Sequence, residues 1–188
     1  MKPQSTWVLL KPHFESLVSN VVFPNLSFTP ARQELWQSDP IDYTRTSIGA
    51  FLYHFGSLSV DLRLTSFFLF STDEYENYSS PVAAATTFLC QLVSSRTKST
   101  FLPILGFVNN VLDAHPAAPQ RFGALNMLSA LAPFAMRHPD VKRKMEDFTL
   151  QHVLPEFTAP EGYMRAVVRF HCFFFSVVGC DLTRSTNS

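Results

Sequence analysis

Few residues in this chain have the type and spacing that chemistry needs. His171 and Cys172 are adjacent, but neighbours one apart do not face each other on a helix. A cysteine nucleophile also needs a base in space and a third group to orient it. Asp73, Glu74 and Glu76 could be taken for an acid pair, but they read as an exposed acidic loop. Lys142-Arg143-Lys144 is a basic run bounded by Asp140 and Glu146. It is too short for a nucleic-acid stripe and reads as a solvated helix face. The six histidines are scattered, and neither H-E-x-x-H nor C-x-x-C occurs, so no zinc spacing is present. Gly106, Gly123 and Gly162 stand singly and cannot form a phosphate-cradling loop. Gly123 instead reads as a place where helices approach closely. The expectation is a protein with no catalytic, cofactor-binding or metal-binding residues, and no cofactor.

Bulk properties agree. The 188 residues carry 15 Lys plus Arg against 15 Asp plus Glu. A net charge of zero gives no global pull toward nucleic acid or an anionic membrane. Three cysteines, Cys90, Cys172 and Cys180, fit a reducing compartment better than a disulfide scaffold. The N-terminus lacks the layout of a signal peptide. The greasy stretch 49–72 is interrupted by Asp61 and Arg63, so no membrane insertion is expected. A chain of this length hides about 70% of its unfolded surface, enough for a core.

The elements that would position any site are helices. Trp7, Leu10, Phe14, Leu17, Val18, Val21 and Val22 recur at spacings of three and four, which predicts an amphipathic helix to Leu26. Phe28-Thr29-Pro30 ends it, a short helix covers Ala31–Trp36, and Ser38-Asp39-Pro40 is a turn or cap. Ser80 is expected to cap a helix that begins at Pro81 and runs to residue 95. Apolar stripes continue over 98–113, 119–137 and 140–157. His138-Pro139-Asp140 and Ala159-Pro160 separate them, and another helix begins at Tyr163. No strand pattern of similar quality occurs, so the fold class is all-α.

The pattern repeats. Apolar-apolar-Pro-x-apolar occurs at Val22–Leu26, Phe101–Leu105 and Val153–Phe157. Helix-starting prolines stand at Pro81, Pro119 and Pro160, 38 and 41 residues apart. That is close to the period of HEAT or armadillo helix pairs, which bury their faces by stacking. Pro24 and Pro103 lie 79 residues apart but Pro103 and Pro155 only 52. Removing the 24 residues of 49–72 restores similar spacings.

The stretch Leu17–Phe28, then Glu34-Leu35-Trp36-Gln37-Ser38-Asp39-Pro40-Ile41-Asp42-Tyr43-Thr44-Arg45 and Asp73–Ala85, resembles the importin-beta superfamily. The likeness is strongest to its importin-seven/importin-eight subgroup. Phe122-Gly123-Ala124-Leu125 and His152-Val153-Leu154-Pro155-Glu156-Phe157 add to it. The resemblance covers about residues 7–48 and 73–167. It implies a HEAT-repeat α-solenoid of stacked helical hairpins, from the middle of a nuclear transport receptor. Its partners would be cargo proteins, Ran GTPase (through N-terminal repeats not visible here) and the phenylalanine-glycine repeats of nucleoporins. It would move between nucleus and cytoplasm through the nuclear pore. Trp36, Pro40 and Tyr43, which carry the motif, read as packing and turn residues.

The implied organisation is HEAT-like helices over 1–48, an insertion over 49–72, HEAT-like repeats over 73–167 and an atypical tail over 168–188. The insertion and tail hold nine of the 19 phenylalanines. Both read as translated introns, because Phe67–Thr72 can be encoded by a pyrimidine tract ending in an acceptor before Asp73. A genuine loop and helical tail is the alternative. A HEAT scaffold with a partner outside transport is the alternative function.

Overall fold

The structure is a computed structural model that describes residues 3–44, 80–169 and 172. The insertion at 49–72, the acidic segment at 73–76 and residues 173–188 lie outside the described residues. Among the described residues there are helices and short connections but no strand.

The first helical segment contains α1 (Pro3–Leu10), α2 (Phe14–Leu17) and α3 (Phe23–Leu26). Its backbone stays helical throughout, but its winding changes twice. A 3-10 turn at Lys11–His13 contains Pro12, and a π-helical turn occupies Val18–Val22. The Phe23 amide donates to the Val18 carbonyl, five residues back, immediately before Pro24. The same arrangement occurs at Thr149–Val153, where the Leu154 amide donates to the Thr149 carbonyl just before Pro155. A proline cannot donate in a helix and crowds the carbonyl four residues back. A π turn inserts an extra residue and so absorbs that conflict. Two of the three proline motifs therefore share one backbone solution. The third differs, since Pro103 sits inside a helix without a π turn.

After Thr29, α4 (Pro30–Ser38) begins with a side-chain cap: Thr29 Oγ1 accepts from the Arg32 amide at 3.4 Å. Asp39 then caps a helical turn over 40–44, its Oδ1 accepting from the amides of Ile41 (3.0 Å) and Asp42 (2.9 Å). Ser80 caps α5 (Pro81–Asp113), accepting from the Ala83 amide at 3.1 Å, with Pro81 as the first helical residue.

The expected pair over 81–95 and 98–113 is present without a loop. One residue, Arg96, leaves helical geometry with φ −140° and ψ 38°. Cys90 Sγ lies 3.5 Å from the Ala130 carbonyl, and Phe101 faces Phe134 with centroids 6.5 Å apart. In a straight helix residues 90 and 101 would be about 16 Å apart along the axis, while 130 and 134 are about 6 Å apart. The chain must bend at Arg96 to bring both onto the same stretch.

Next come α6 (Ala118–Arg137) and α7 (Pro139–Phe148), the latter extended by the π turn and by a 3-10 turn at Leu154–Thr158. A helix over 162–169 follows. α6 is the centre of the core. Ala124, Leu125, Met127, Ala130, Leu131 and Ala132 are inaccessible, so this helix is buried nearly all round. α5, α3 and α7 all pack against it. The first helical segment departs from the expected stripe at Val21, which is half exposed, whereas Val18 and Val22 are buried. Val168, placed in the atypical tail by sequence, is inaccessible and belongs to the core.

Candidate functional site

Three junctions of named side chains set how the helices sit on one another. The first is the loop Ser27–Thr29. The Arg32 guanidinium reaches back to the carbonyls of Asn25 (3.2 Å), Leu26 (3.2 Å) and Ser27 (3.1 Å). These are orphan acceptors at the end of α3. The guanidinium also lies 5.5 Å from the Phe122 ring centroid. Burial pulls its pKa below the ordinary arginine value. From α6, Asn126 donates to the Leu26 carbonyl at 3.1 Å, and the Phe28 amide donates to the Pro119 carbonyl at 3.1 Å. Gly123 makes this approach possible, because a Cβ there would stand 2.9 Å from Ser27 Cα. The close approach expected at Gly123 is thus real, and its partner is the loop after α3.

The second junction is aromatic. Phe28 stacks on Tyr163 with centroids 3.6 Å apart and meets Phe122 edge-on at 5.2 Å. Tyr43 meets Phe28 at 6.0 Å, and Trp36 meets Tyr43 at 5.5 Å, at 90°. Gly162 faces the Trp36 ring, 2.8 Å from its added Cβ. Trp36 and Tyr43 are therefore packing residues and Pro40 opens a capped turn, as the sequence implies. Burial, and secondarily Glu161, push the Tyr163 phenol pKa up.

The third junction is ionic and lies where α5, α6 and the helix over 139–157 meet. Arg121 donates from Nε to Glu156 Oε1 at 2.6 Å and from Nη2 to Oε2 at 3.4 Å, while its Nη1 donates to the Pro116 carbonyl at 2.8 Å. One helical turn before Glu156, His152 places Nε2 3.3 Å from Asp113 Oδ1. Arg32 and Arg121 share a signal that the sequence reading missed. Each lies two residues after a helix-starting proline, in Pro30-Ala31-Arg32 and Pro119-Gln120-Arg121. Each reaches back to carbonyls before its helix.

The remaining sequence candidates separate. Lys142, Arg143 and Lys144 are exposed, and Arg143 pairs with Asp140. Cys172 is half-buried, and burial raises its thiol pKa. His171 lies outside the described residues. No cluster of three or more metal-ligating side chains occurs among the described residues. No helix among them is long and apolar enough to cross a membrane. Phe14, Val18, Pro103, Ile104 and Phe107, with the polar Glu15 and Asn110, line a groove of about 330 Å³ between the first helical segment and α5. Leu102, Leu150 and Leu154 are each more than half exposed.

The chain is 29% identical to the importin beta-like SAD2 homolog of Arabidopsis thaliana over 169 residues, which cover 86% of this chain and 14% of that protein. It is 28% identical to human importin-8 over 162 residues, 86% of this chain and 13% of that protein. A probable importin-7 homolog of Dictyostelium discoideum is 25% identical over 169 residues, 86% of this chain and 14% of that protein. Over most of its length the chain is similar to importins. The chain spans about one seventh of the length of the curated relatives it matches. No family model matches it, and no solved structure matches it. The helix pairs around α6 are the all-α stacked hairpins expected from that likeness.

Proposed function

We propose that this chain serves protein import into the nucleus as a central stretch of a transport-receptor solenoid. The observation that carries the reading is the importin likeness over 86% of the chain. In this reading the chain is a binding surface and not an enzyme. Its partners are cargo proteins, Ran GTPase through repeats elsewhere in the receptor, and phenylalanine-glycine repeats of nucleoporins. It passes between cytoplasm and nucleus through the pore. Stacked helix pairs suit this work, because each pair contacts mainly its neighbours and the array can flex around a ligand. We further propose that 1–48 and 73–167 form the HEAT-like part, and that 49–72 and 168–188 derive from intron sequence.

Transcript sequencing across the codons for Ile48–Asp73 and from Ala166 onward tests the organisation. Spliced reads joining Ile48 to an aspartate codon support it, and reads retaining both segments overturn it. For function, the protein encoded by the sequenced transcript is assayed for nuclear accumulation in permeabilised cells. Accumulation that needs Ran-GTP and competes with phenylalanine-glycine repeat peptide is expected. Exclusion from the nucleus together with no binding to that peptide would refute the transport reading.

A further inference from the structure

A single residue separates the two halves of α5. Only Arg96 leaves helical geometry there, at φ −140° and ψ 38°. The segment Ser94-Ser95-Arg96-Thr97-Lys98 holds neither glycine nor proline, the residues at which helices commonly stop of their own accord. The bend is therefore imposed by packing. Both halves lie on α6, through Cys90 against the Ala130 carbonyl and Phe101 against Phe134. The side chains at the bend distinguish little between a bent and a straight chain. Thr97 Oγ1 donates to the Val93 carbonyl at 2.7 Å and Thr100 Oγ1 to the Arg96 carbonyl at 2.9 Å. Both bonds reach four residues back and persist in a straight helix. The bond from Thr100 Oγ1 to the Leu92 carbonyl, eight residues back at 3.4 Å, depends on the bend. Beside it the Arg96 guanidinium lies 5.7 Å from the Trp7 ring centroid.

We propose that α5 is a hinge through which two copies of this chain exchange halves, the part before Arg96 of each copy packing on the part after Arg96 of the other. Turning one residue into helical geometry joins the halves of α5 into a rod of 33 residues, about 50 Å long. The contacts that close the monomer then form between copies unaltered. Those that cross Arg96 in sequence include Asn126 to the Leu26 carbonyl, the Phe28 amide to the Pro119 carbonyl and the stack of Phe28 on Tyr163. Phe23 likewise meets Phe107 edge-on, with centroids 5.4 Å apart. None of these needs both partners in one chain. Exchange of an identical element is a low-cost route to a dimer, and a short hinge favours it. The partner is a second copy, because the surface it must match is the chain's own. The exchange concerns α5 alone and does not rest on the transport reading.

The test is the mass in solution of the full 188-residue chain, refolded from urea at low and at high concentration and measured by size-exclusion chromatography with light scattering. Dilute refolding should yield the monomer, and concentrated refolding a dimer of twice the chain mass. Because exchanged copies part only by unfolding, that dimer should persist for hours after dilution. A short Gly-Ser insertion between Arg96 and Thr97 lengthens the hinge and should abolish the dimer. Monomer alone at every concentration, a dimer that dissociates within minutes of dilution, or equal dimerisation of the insertion variant overturns the proposal. A second measurement covers a variant that fails to fold: subunit exchange in the unaltered chain. Labelled and unlabelled dimers mixed in moderate urea should exchange at the rate of global unfolding, and faster exchange overturns the hinge.

Discussion

Gly123→Ala should destabilise the protein, although general helix propensity says the reverse. In an exposed helix interior, alanine is favoured over glycine by about 1 kcal/mol. At position 123 the new methyl would meet backbone: Ser27 Cα at 2.9 Å and Ser27 N at 3.1 Å, with Ser27 Oγ nearer still. Carbon atoms pack at about 3.5–4.0 Å, so the loop would have to retreat by about 0.6 Å or more. That retreat strains the bonds from Asn126 to the Leu26 carbonyl and from the Phe28 amide to the Pro119 carbonyl. Overpacking of this kind costs about 1–3 kcal/mol, more than the propensity gain. The expected net loss is up to about 2 kcal/mol, or a melting point lower by up to roughly 8 °C in a domain of this size. Gly106→Ala is the matched control, because a Cβ there meets nothing within 4 Å. It should gain about 0.5–1 kcal/mol. Urea unfolding of both variants at neutral pH decides the matter. If Gly123→Ala proves as stable as Gly106→Ala or more so, the close approach of loop and helix is not what holds the first junction.

Three further predictions concern buried groups. Glu156→Gln leaves the Arg121 guanidinium facing a neutral amide in a largely covered site, and should cost about 1.5–3 kcal/mol by urea unfolding. Ser129→Ala should be neutral or stabilising by up to about 1 kcal/mol, because the Ser129 hydroxyl is inaccessible and has no hydrogen-bond partner; a thermal melt shows the sign. Cys90 is 3% exposed and its thiol pKa is pushed up to about 12 by burial. At pH 8 about one molecule in 10,000 would carry the thiolate, so mass-resolved alkylation should leave Cys90 unlabelled until denaturant is added, with labelling rising only as the pH approaches that value.

Much of the skeleton was legible because it is written in local signals. Ser80-Pro81 marks a helix start wherever it stands, and the cap from Ser80 to Ala83 needs no tertiary help. The apolar spacings over 81–95 and 98–113 foretold two helices, though not that Arg96 alone would separate them. Pattern reading expects a loop between helices, and here one residue outside helical geometry is enough. The prolines at 24 and 155 announced a disturbance but not its form. A π turn is a register change that pays no visible toll in residue type, and it displaced Val21 from the core face. The ionic corner was not legible. Asp113, His152, Arg121 and Glu156 come from three elements, and nothing local in sequence pairs them. The arginine clamps could have been found, since a proline followed two residues later by arginine occurs at both Pro30 and Pro119.

The loop at Ser27–Thr29 also has a bearing on how the chain acquires its structure. Asn126 and the Leu26 carbonyl it holds are 100 residues apart along the chain, and the stack of Phe28 on Tyr163 spans more still. An ideal repeat array can nucleate anywhere and spread to its neighbours. Here the loop after α3 gains its contacts to Asn126 and Tyr163 only once α6 and the helix over 162–169 exist. Such long-range closure slows folding. During synthesis the bond from Asn126 to the Leu26 carbonyl can form only after 100 further residues have been made.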